Sequence, residues 1–178
     1  HWFALPLATT PGTDCSFSIS ASQPQRIALL VNEASDKQRP CDRDTLYLSA
    51  DSGSTWKHIT HTSIAPAQAK NGYCTITTTA HHLYMWYSYG GGQNTPQLSL
   101  LERTDNDGAT WSRADTAFGS GKFFFSPQIG KDENLAISVR NASDVSDTHA
   151  SLWMSHNAGR SWQRMGILPS QAGVFLLT

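Results

Sequence analysis

Lysine and glutamate are scarce in this 178-residue chain, at 5 and 3 residues, which removes much of the material that favours solvated helices. An excess of either charge is also lacking. Lys plus Arg number 13 against 14 Asp plus Glu, a net charge of -1, so no basic surplus draws the chain onto nucleic acid or an anionic membrane. No apolar run approaches the roughly 20 residues of a membrane helix, and no basic-then-apolar leader opens the sequence. Cysteine is limited to Cys15, Cys41 and Cys74, whose spacings of 26 and 33 residues match neither a zinc ribbon nor a C-x-x-C redox pair. Buried free thiols are the leading expectation for them, with one disulfide and an odd thiol as the alternative. What is plentiful (Ser, Thr, Gly, Asn and six Trp) suits strands and turns. Residues 1–178 read as a single domain with one core. Because the chain begins at His1, it is expected to be processed or cut from something longer.

Three segments share an eight-residue frame. Ser49 to Trp56 reads SADSGSTW, Thr104 to Trp111 reads TDNDGATW, and Ser155 to Trp162 reads SHNAGRSW. The common pattern is [ST]-x-[DN]-x-G-x-[ST]-W, and its tryptophans are 55 and then 51 residues apart. Trp2 stands 54 residues before Trp56, and WFALP there resembles the stretch from Trp162 to Pro169, so a fourth copy is expected to be entered midway. A period near 50 is long enough for a four-stranded propeller blade, about 40 to 50 residues. The pattern has a local mechanism. Asp51, Asn106 and Asn157 can accept bonds from turn amides, Gly53, Gly108 and Gly159 supply a positive backbone angle, and Ser49, Thr104 and Ser155 satisfy a further turn group. Trp56, Trp111 and Trp162 open the next strand and bury area against a neighbouring sheet.

Around these tips the sequence parses into strands over 15–20, 26–32, 45–49 and 55–59. A second set covers 73–78, 82–89, 97–104 and 110–114, and a third covers 123–128, 134–140, 150–155 and 161–165, with a final strand at 173–178. Leu135, Ile137 and Val139 alternate with Ala136, Ser138 and Arg140, as half-buried strands do. No convincing helix appears; 64–69 suits one turn at most. With four antiparallel strands per set, the tips lie at one end of the sheets. The long connections (6–14, 33–44, 60–72, 90–96, 115–122 and 141–149) gather at the other, where binding is expected.

The triple motif resembles the Asp box, or BNR repeat, of sialidase-like β-propellers. That resemblance implies an all-β fold, here a sialidase-like β-propeller arc of three complete four-stranded blades plus partial flanking strands. It also implies that the box residues are structural and lie away from any active site. Sialidases, sortilin-like proteins, xyloglucanases, photosystem assembly factors and lectin-like proteins share such boxes, so the motif names a superfamily and no single activity. In the sialidase blade an arginine at a strand end, about twenty residues before a box, clamps the substrate carboxylate. Arg140 in LAISVRNASD matches it, the alternative being a surface arginine paired with Asp144 or Asp147. A sialidase also requires an Arg-Ile-Pro element, an acid/base Asp and a Tyr nucleophile activated by Glu. Here Arg26 is followed by Ile27 and Ala28 instead.

Aligned second strands put Asn32, Ser88 and Arg140 at one rim position, and EASD from Glu33 to Asp36 aligns with NASD from Asn141 to Asp144. Tyr84, Trp86, Tyr87 and Tyr89 bring ring surface toward the same rim, the alternative for Tyr84 and Trp86 being packing between blades. Candidate ligand-binding residues are therefore Arg140, Asn32, Glu33, Tyr87, Tyr89 and Asp144. His81-His82 lacks partners at ligand spacing, so no metal and no cofactor are expected. Asn141-Ala142-Ser143 is a glycosylation sequon. The reading favoured is a non-catalytic propeller segment binding glycan or protein through its long-loop face. The alternative is the central part of a sialidase or related glycoside hydrolase whose other catalytic residues lie outside this chain. Three blades do not close a ring, so further blades or another chain are expected partners. An extracellular or cell-surface location fits the superfamily.

Overall fold

The computed structural model describes residues 14–20, 22–32, 45–62, 64, 72–90, 97–125, 127–130, 133–141 and 149–168. These form three antiparallel sheets. The first is β1 (Asp14–Ile19), β2 (Ile27–Asn32), β3 (Thr45–Ser49) and β4 (Lys57–Ile59), hydrogen-bonded in chain order. The second is β5 (Tyr73–Thr78), β6 (Leu83–Tyr89), β7 (Leu98–Thr104) and β8 (Ser112–Arg113), in the same order. The third comprises β9 (Lys122–Phe124), β10 (Gln128–Ile129), β11 (Leu135–Asn141), β12 (Ala150–Ser155) and β13 (Gln163–Leu168), β9 and β10 both pairing with β11. The single first strand expected over 123–128 is thus two short ones, a correction of that boundary. Residues 116–118, expected to be loop, form one 3-10 turn that buries Phe118. The expected strands at the two ends of the chain lie outside the described residues. No described helix is long and apolar enough to cross a membrane.

Each eight-residue tip is closed by one polar network. The Ser49 hydroxyl accepts the Gly53 amide at 2.8 Å and donates to Asp51 Oδ1 at 2.8 Å. Asp51 Oδ1 accepts the Thr55 amide at 2.8 Å, and its other oxygen takes the Thr55 hydroxyl at 2.6 Å. Thr104, Asn106, Gly108 and Thr110 repeat this geometry, as do Ser155, Asn157, Gly159 and Ser161. Where the third residue is Asn, its amide nitrogen donates to the hydroxyl at the seventh position. A hydroxyl can accept or donate, which is why Asp and Asn both serve. Both residues at the turn centre have positive φ: Ser52 and Gly53, Asp107 and Gly108, Ala158 and Gly159. Four bonds to its two carboxylate oxygens, first among them the Thr55 hydroxyl, hold Asp51 at a pKa of about 2.

Apolar burial joins the sheets. Ala28, Leu30, Leu46 and Leu48 of the first sheet pack on Ile76, Leu83, Met85 and Tyr87 of the second. Tyr84, Trp86 and Leu101 on the other face of the second sheet pack on Phe124, Leu135, Ile137 and Val139 of the third. All seven residues of β6 are buried, because its sheet has a neighbour on each side. Trp111 packs into the first of these cores and Trp162 into the second, each leaning on the sheet before its own. Trp56 instead donates its indole N–H to Gly53 of its own tip. Cys74 is buried and disulfide-bonded, which corrects the leading expectation of free thiols. Its partner is one of the other two cysteines, as the chain has three, a pairing that linear spacing does not report.

The tips also pack sideways. A Cβ built on Gly108 (φ 83°) would overlap Ile59 Cγ2 of the preceding sheet, whereas one on Gly53 (φ 87°), the same position of the first tip, comes no closer than 3.5 Å to a neighbour. Gly53→Ala should therefore cost only the left-handed backbone penalty, roughly 1–2 kcal/mol. Gly108→Ala should cost about 1–3 kcal/mol more through overpacking. Urea unfolding of the two variants checks this, and equal midpoints would disprove the lateral contact.

Candidate functional site

Arg140 lies near the end of β11, at the end of its sheet opposite the tips. Alternation along β11 turns Leu135, Ile137 and Val139 toward the second sheet and Arg140 to the other face. In register, Val139 pairs with Phe124 and Arg140 with Phe123. The Arg140 guanidinium carbon sits 4.6 Å from the Phe123 ring centre and 5.5 Å from that of Phe125. Those two rings meet edge to face at 5.1 Å. Phe123 is 5% exposed and Phe125 42% exposed, so a fixed ring and an open ring together support an exposed guanidinium. Contacts of this kind contribute about 0.5–1 kcal/mol at exposed sites and restrict a long side chain before any ligand arrives. Among the described residues Arg140 pairs with no carboxylate. Asp144 and Asp147, its alternative partners, lie outside them, as does Glu33.

Asn32, Ser88 and Arg140 do occupy matching places, each near the end of a second strand and opposite the start of the first: Asp14, Tyr73 and Phe123 are their partners. The Asn32 side chain lies outside the described residues. Ser88 is buried and accepts a bond from Gln97 at 2.9 Å. Tyr89 is 9% exposed, beside a bidentate pair in which Arg113 holds Asp115 at 2.6 and 2.7 Å. Burial pushes the Tyr89 hydroxyl pKa up, with Arg113 opposing and Asp115 adding to it.

Tyr87 does not offer its ring to the rim. It is wholly buried, because β6 turns Leu83, Met85, Tyr87 and Tyr89 into the core shared with the first sheet. Its hydroxyl donates to Glu102 Oε2 at 2.8 Å and stands 3.0 Å from His61 Nε2, which is itself 2.9 Å from the same carboxylate oxygen. His61 and Glu102 side chains are 4% and 5% exposed. The triangle is a closed polar knot under Trp111, whose ring meets His61 edge-on at 4.7 Å. It is compact hydrogen-bond satisfaction inside a core. Tyr84 and Trp86 also pack between sheets, donating to the Ala158 and Phe124 carbonyls.

At the tip end a second polar group bridges the second and third sheets. Asp105 is met by Arg103 at 2.7 Å and Arg160 at 3.0 Å, and His82 lies between Glu133, at 2.5 Å, and Asp105, at 3.4 Å. Burial acts to raise the Asp105 pKa, but the Arg160 bond and the Arg103 and His82 charges outweigh it and hold the carboxyl below its ordinary range. Arg26 makes the matching link between the first two sheets, reaching Thr78 and Asp107 at 3.2 and 2.7 Å. Among the described residues no group of three or more His, Cys, Asp or Glu is placed to hold a metal ion.

The two rings under Arg140 were not singled out from the sequence. Phe123-Phe124-Phe125 read with period two separates one core ring from two rings on the other face, and that signal was available.

No protein-family model and no curated protein matches the chain. Among solved structures it is similar to one from a study of two prolyl endopeptidases, with a TM-score of 0.51 and 10% identity over 85% of this chain and 19% of that one. It is also similar to YCF48 from Cyanidioschyzon merolae, with a TM-score of 0.43 and 13% identity over 90% of this chain and 38% of that one. An ancestral GH74 enzyme gives 0.36 and 10%, over 86% and 27%. The chain thus spans about a fifth of the first structure. At these identities the likeness shows the fold alone, a propeller-like arrangement of antiparallel four-stranded sheets.

Removing the Tyr87 hydroxyl leaves a buried carboxylate one donor short, so Tyr87→Phe should lower stability by about 1–3 kcal/mol. Chemical denaturation measures it; an unchanged midpoint would show that the triangle contributes nothing.

Proposed function

We propose that this chain is a non-catalytic segment of an Asp-box propeller that binds glycan or protein through the sheet end opposite its tips. Arg140 takes a carboxylate of the ligand. The observation that supports this reading is the exposed Arg140 guanidinium, set on Phe123 and Phe125 and without a carboxylate partner among the described residues. A planar guanidinium matches carboxylate oxygens bidentately, and the half-exposed Phe125 ring provides an adjoining face for a sugar ring or an apolar side chain. Asn32, Glu33 and Asp144 belong to the same proposed rim, while Tyr89, turned into the core with Tyr87, does not. Closure of the propeller by further blades or another chain belongs to the same proposal, since a closed ring removes exposed sheet edges. The Cys74 disulfide suits an oxidising, extracytoplasmic location.

The competing reading, a sialidase or related glycoside hydrolase, asks for a tyrosine activated by a glutamate. Tyr87 and Glu102 are 2.8 Å apart, but both are enclosed in the core between two sheets, out of a substrate's reach. That pair therefore supplies no nucleophile, and the enzyme reading has to take its tyrosine from outside this chain, whereas the binding reading rests on the exposed Arg140 alone. The test is an array of acidic and neutral glycans, together with acidic peptides, probed with the wild type and with Arg140→Ala. Loss of one charge-assisted contact of about 1.5–3 kcal/mol should weaken binding of carboxylate-bearing probes ten- to a hundredfold, with neutral probes unaffected. Phe125→Ala should weaken it severalfold. Equal binding by wild type and Arg140→Ala would refute the clamp, and turnover of a fluorogenic sialoside would restore the enzyme reading.

A further inference from the structure

The outermost strands of the three sheets differ. β4 has 3 residues and β8 has 2, while β13 has 6. A short edge gives an incoming strand too few backbone groups to pair with, whereas a six-residue edge is of ordinary strand length. The first five residues of β13 are exposed. Met165 is 51% and Ile167 65% exposed, two of the few large apolar side chains left open among the described residues. Lysine and proline, two of the usual protections of an edge, are missing from Gln163–Leu168, whose own are Arg164 and a bulge. The register against β12 slips between Leu152 and Trp153: Leu152 faces Gly166 and Trp153 faces Arg164. Met165 is therefore the extra, unpaired residue of a β-bulge. Next to it a Cβ on Gly166 would meet nothing within 4 Å. The register puts Gly166 on the Leu152 face of the sheet and Ile167 with Arg164 on the Ser151 and Trp153 face, so the edge offers open space at Gly166 on one face and an exposed apolar side chain on the other.

Its charge is one-sided. The sequence from Thr148 to Thr178 contains no Asp or Glu, and its full charges are Arg160 and Arg164. The Arg164 guanidinium is exposed, donates to the Ser151 hydroxyl at 3.1 Å, and pairs with no carboxylate among the described residues. Arg160, 61% exposed, spends one nitrogen on Asp105.

We infer that β13 is a docking edge for an extended acidic segment of a partner protein, which adds as a further strand, sets an apolar side chain at Gly166 and places carboxylates on Arg164 and Arg160. Backbone pairing supplies affinity in this mode, while alternate side chains supply selectivity. The site lies on the outer edge of the third sheet and is independent of the Arg140 rim.

The probes are fluorescein-labelled (Glu-Val)5 and (Lys-Val)5 peptides, followed by fluorescence polarisation at low salt. (Glu-Val)5 is expected to bind and to slow hydrogen exchange of the β13 amides, and (Lys-Val)5 to do neither. Arg164→Glu and Ile167→Asp, both at exposed positions, should each weaken binding about tenfold or more with unchanged thermal midpoints. Lys57→Glu on the short β4 edge should leave it unaltered. Equal binding of both peptides, or no effect of Arg164→Glu, would overturn the inference. Self-association in sedimentation that Ile167→Asp abolishes, with no peptide bound, would overturn it in favour of a second copy as the occupant.

Discussion

The structure depends on a side-chain hydroxyl that accepts a glycine amide and donates to an Asp or Asn two residues on. That oxygen in turn accepts the amide four residues further along. A turn with two successive residues at positive φ would otherwise leave its amides directed into empty space, and unpaired backbone groups are costly. Gly53, Gly108 and Gly159 make the second of those angles inexpensive, while Ser52, Asp107 and Ala158 adopt the first without being glycine. The network therefore has strain to offset as well as donors to satisfy. Once closed, it fixes the register of the hairpin around it and sets where the following tryptophan falls.

From the tips, order spreads sideways. Gly108 sits close against Ile59 of the first sheet and Gly159 against Ala114 beside the second, and Arg26, Arg103 and Arg160 carry charge contacts across the joints. Between the tips and the far end lie two apolar cores that share the second sheet. The tip end is thereby committed to holding sheets together. The other end holds Arg140, which rests on two phenylalanines and has no carboxylate partner among the described residues. The separation of roles follows from antiparallel topology, which sends alternate connections to opposite ends.

Much of this was legible in the sequence. The repeat predicted the tips because its polar residues act on their own backbone, and local chemistry of that kind needs no knowledge of the rest of the fold. Strand positions followed from period-two alternation, most clearly in β11. Edge lengths did not: β4, β8 and β13 follow the same motif, yet pair over 3, 2 and 6 residues, since pairing extent depends on the partner strand. Tyr87 was misplaced because on a strand buried on both faces, aromatic character does not say which sheet a ring faces. Period two puts Phe123 and Phe125 on one face, but that Arg140 shares it depends on a register between two strands that the sequence does not state. The Cys74 disulfide was hidden for the same reason, proximity in space without regularity in sequence.

The central claim, that the third residue of each tip is fixed by accepting backbone and hydroxyl protons, is most directly tested at Asp51, where Asn106 and Asn157 have no titrating counterpart. Its ordinary carboxyl value is 3.8 and the folded value about 2. The bonds that lower it should stabilise the fold at and above the ordinary carboxylate range and be lost as pH falls through the folded value. Titration of the Asp51 carboxyl carbon and the Thr55 amide by NMR should give one shared midpoint near 2, and Asp51→Asn should lack that component of acid unfolding. A midpoint near 3.8, with the Thr55 amide indifferent to pH, would contradict it.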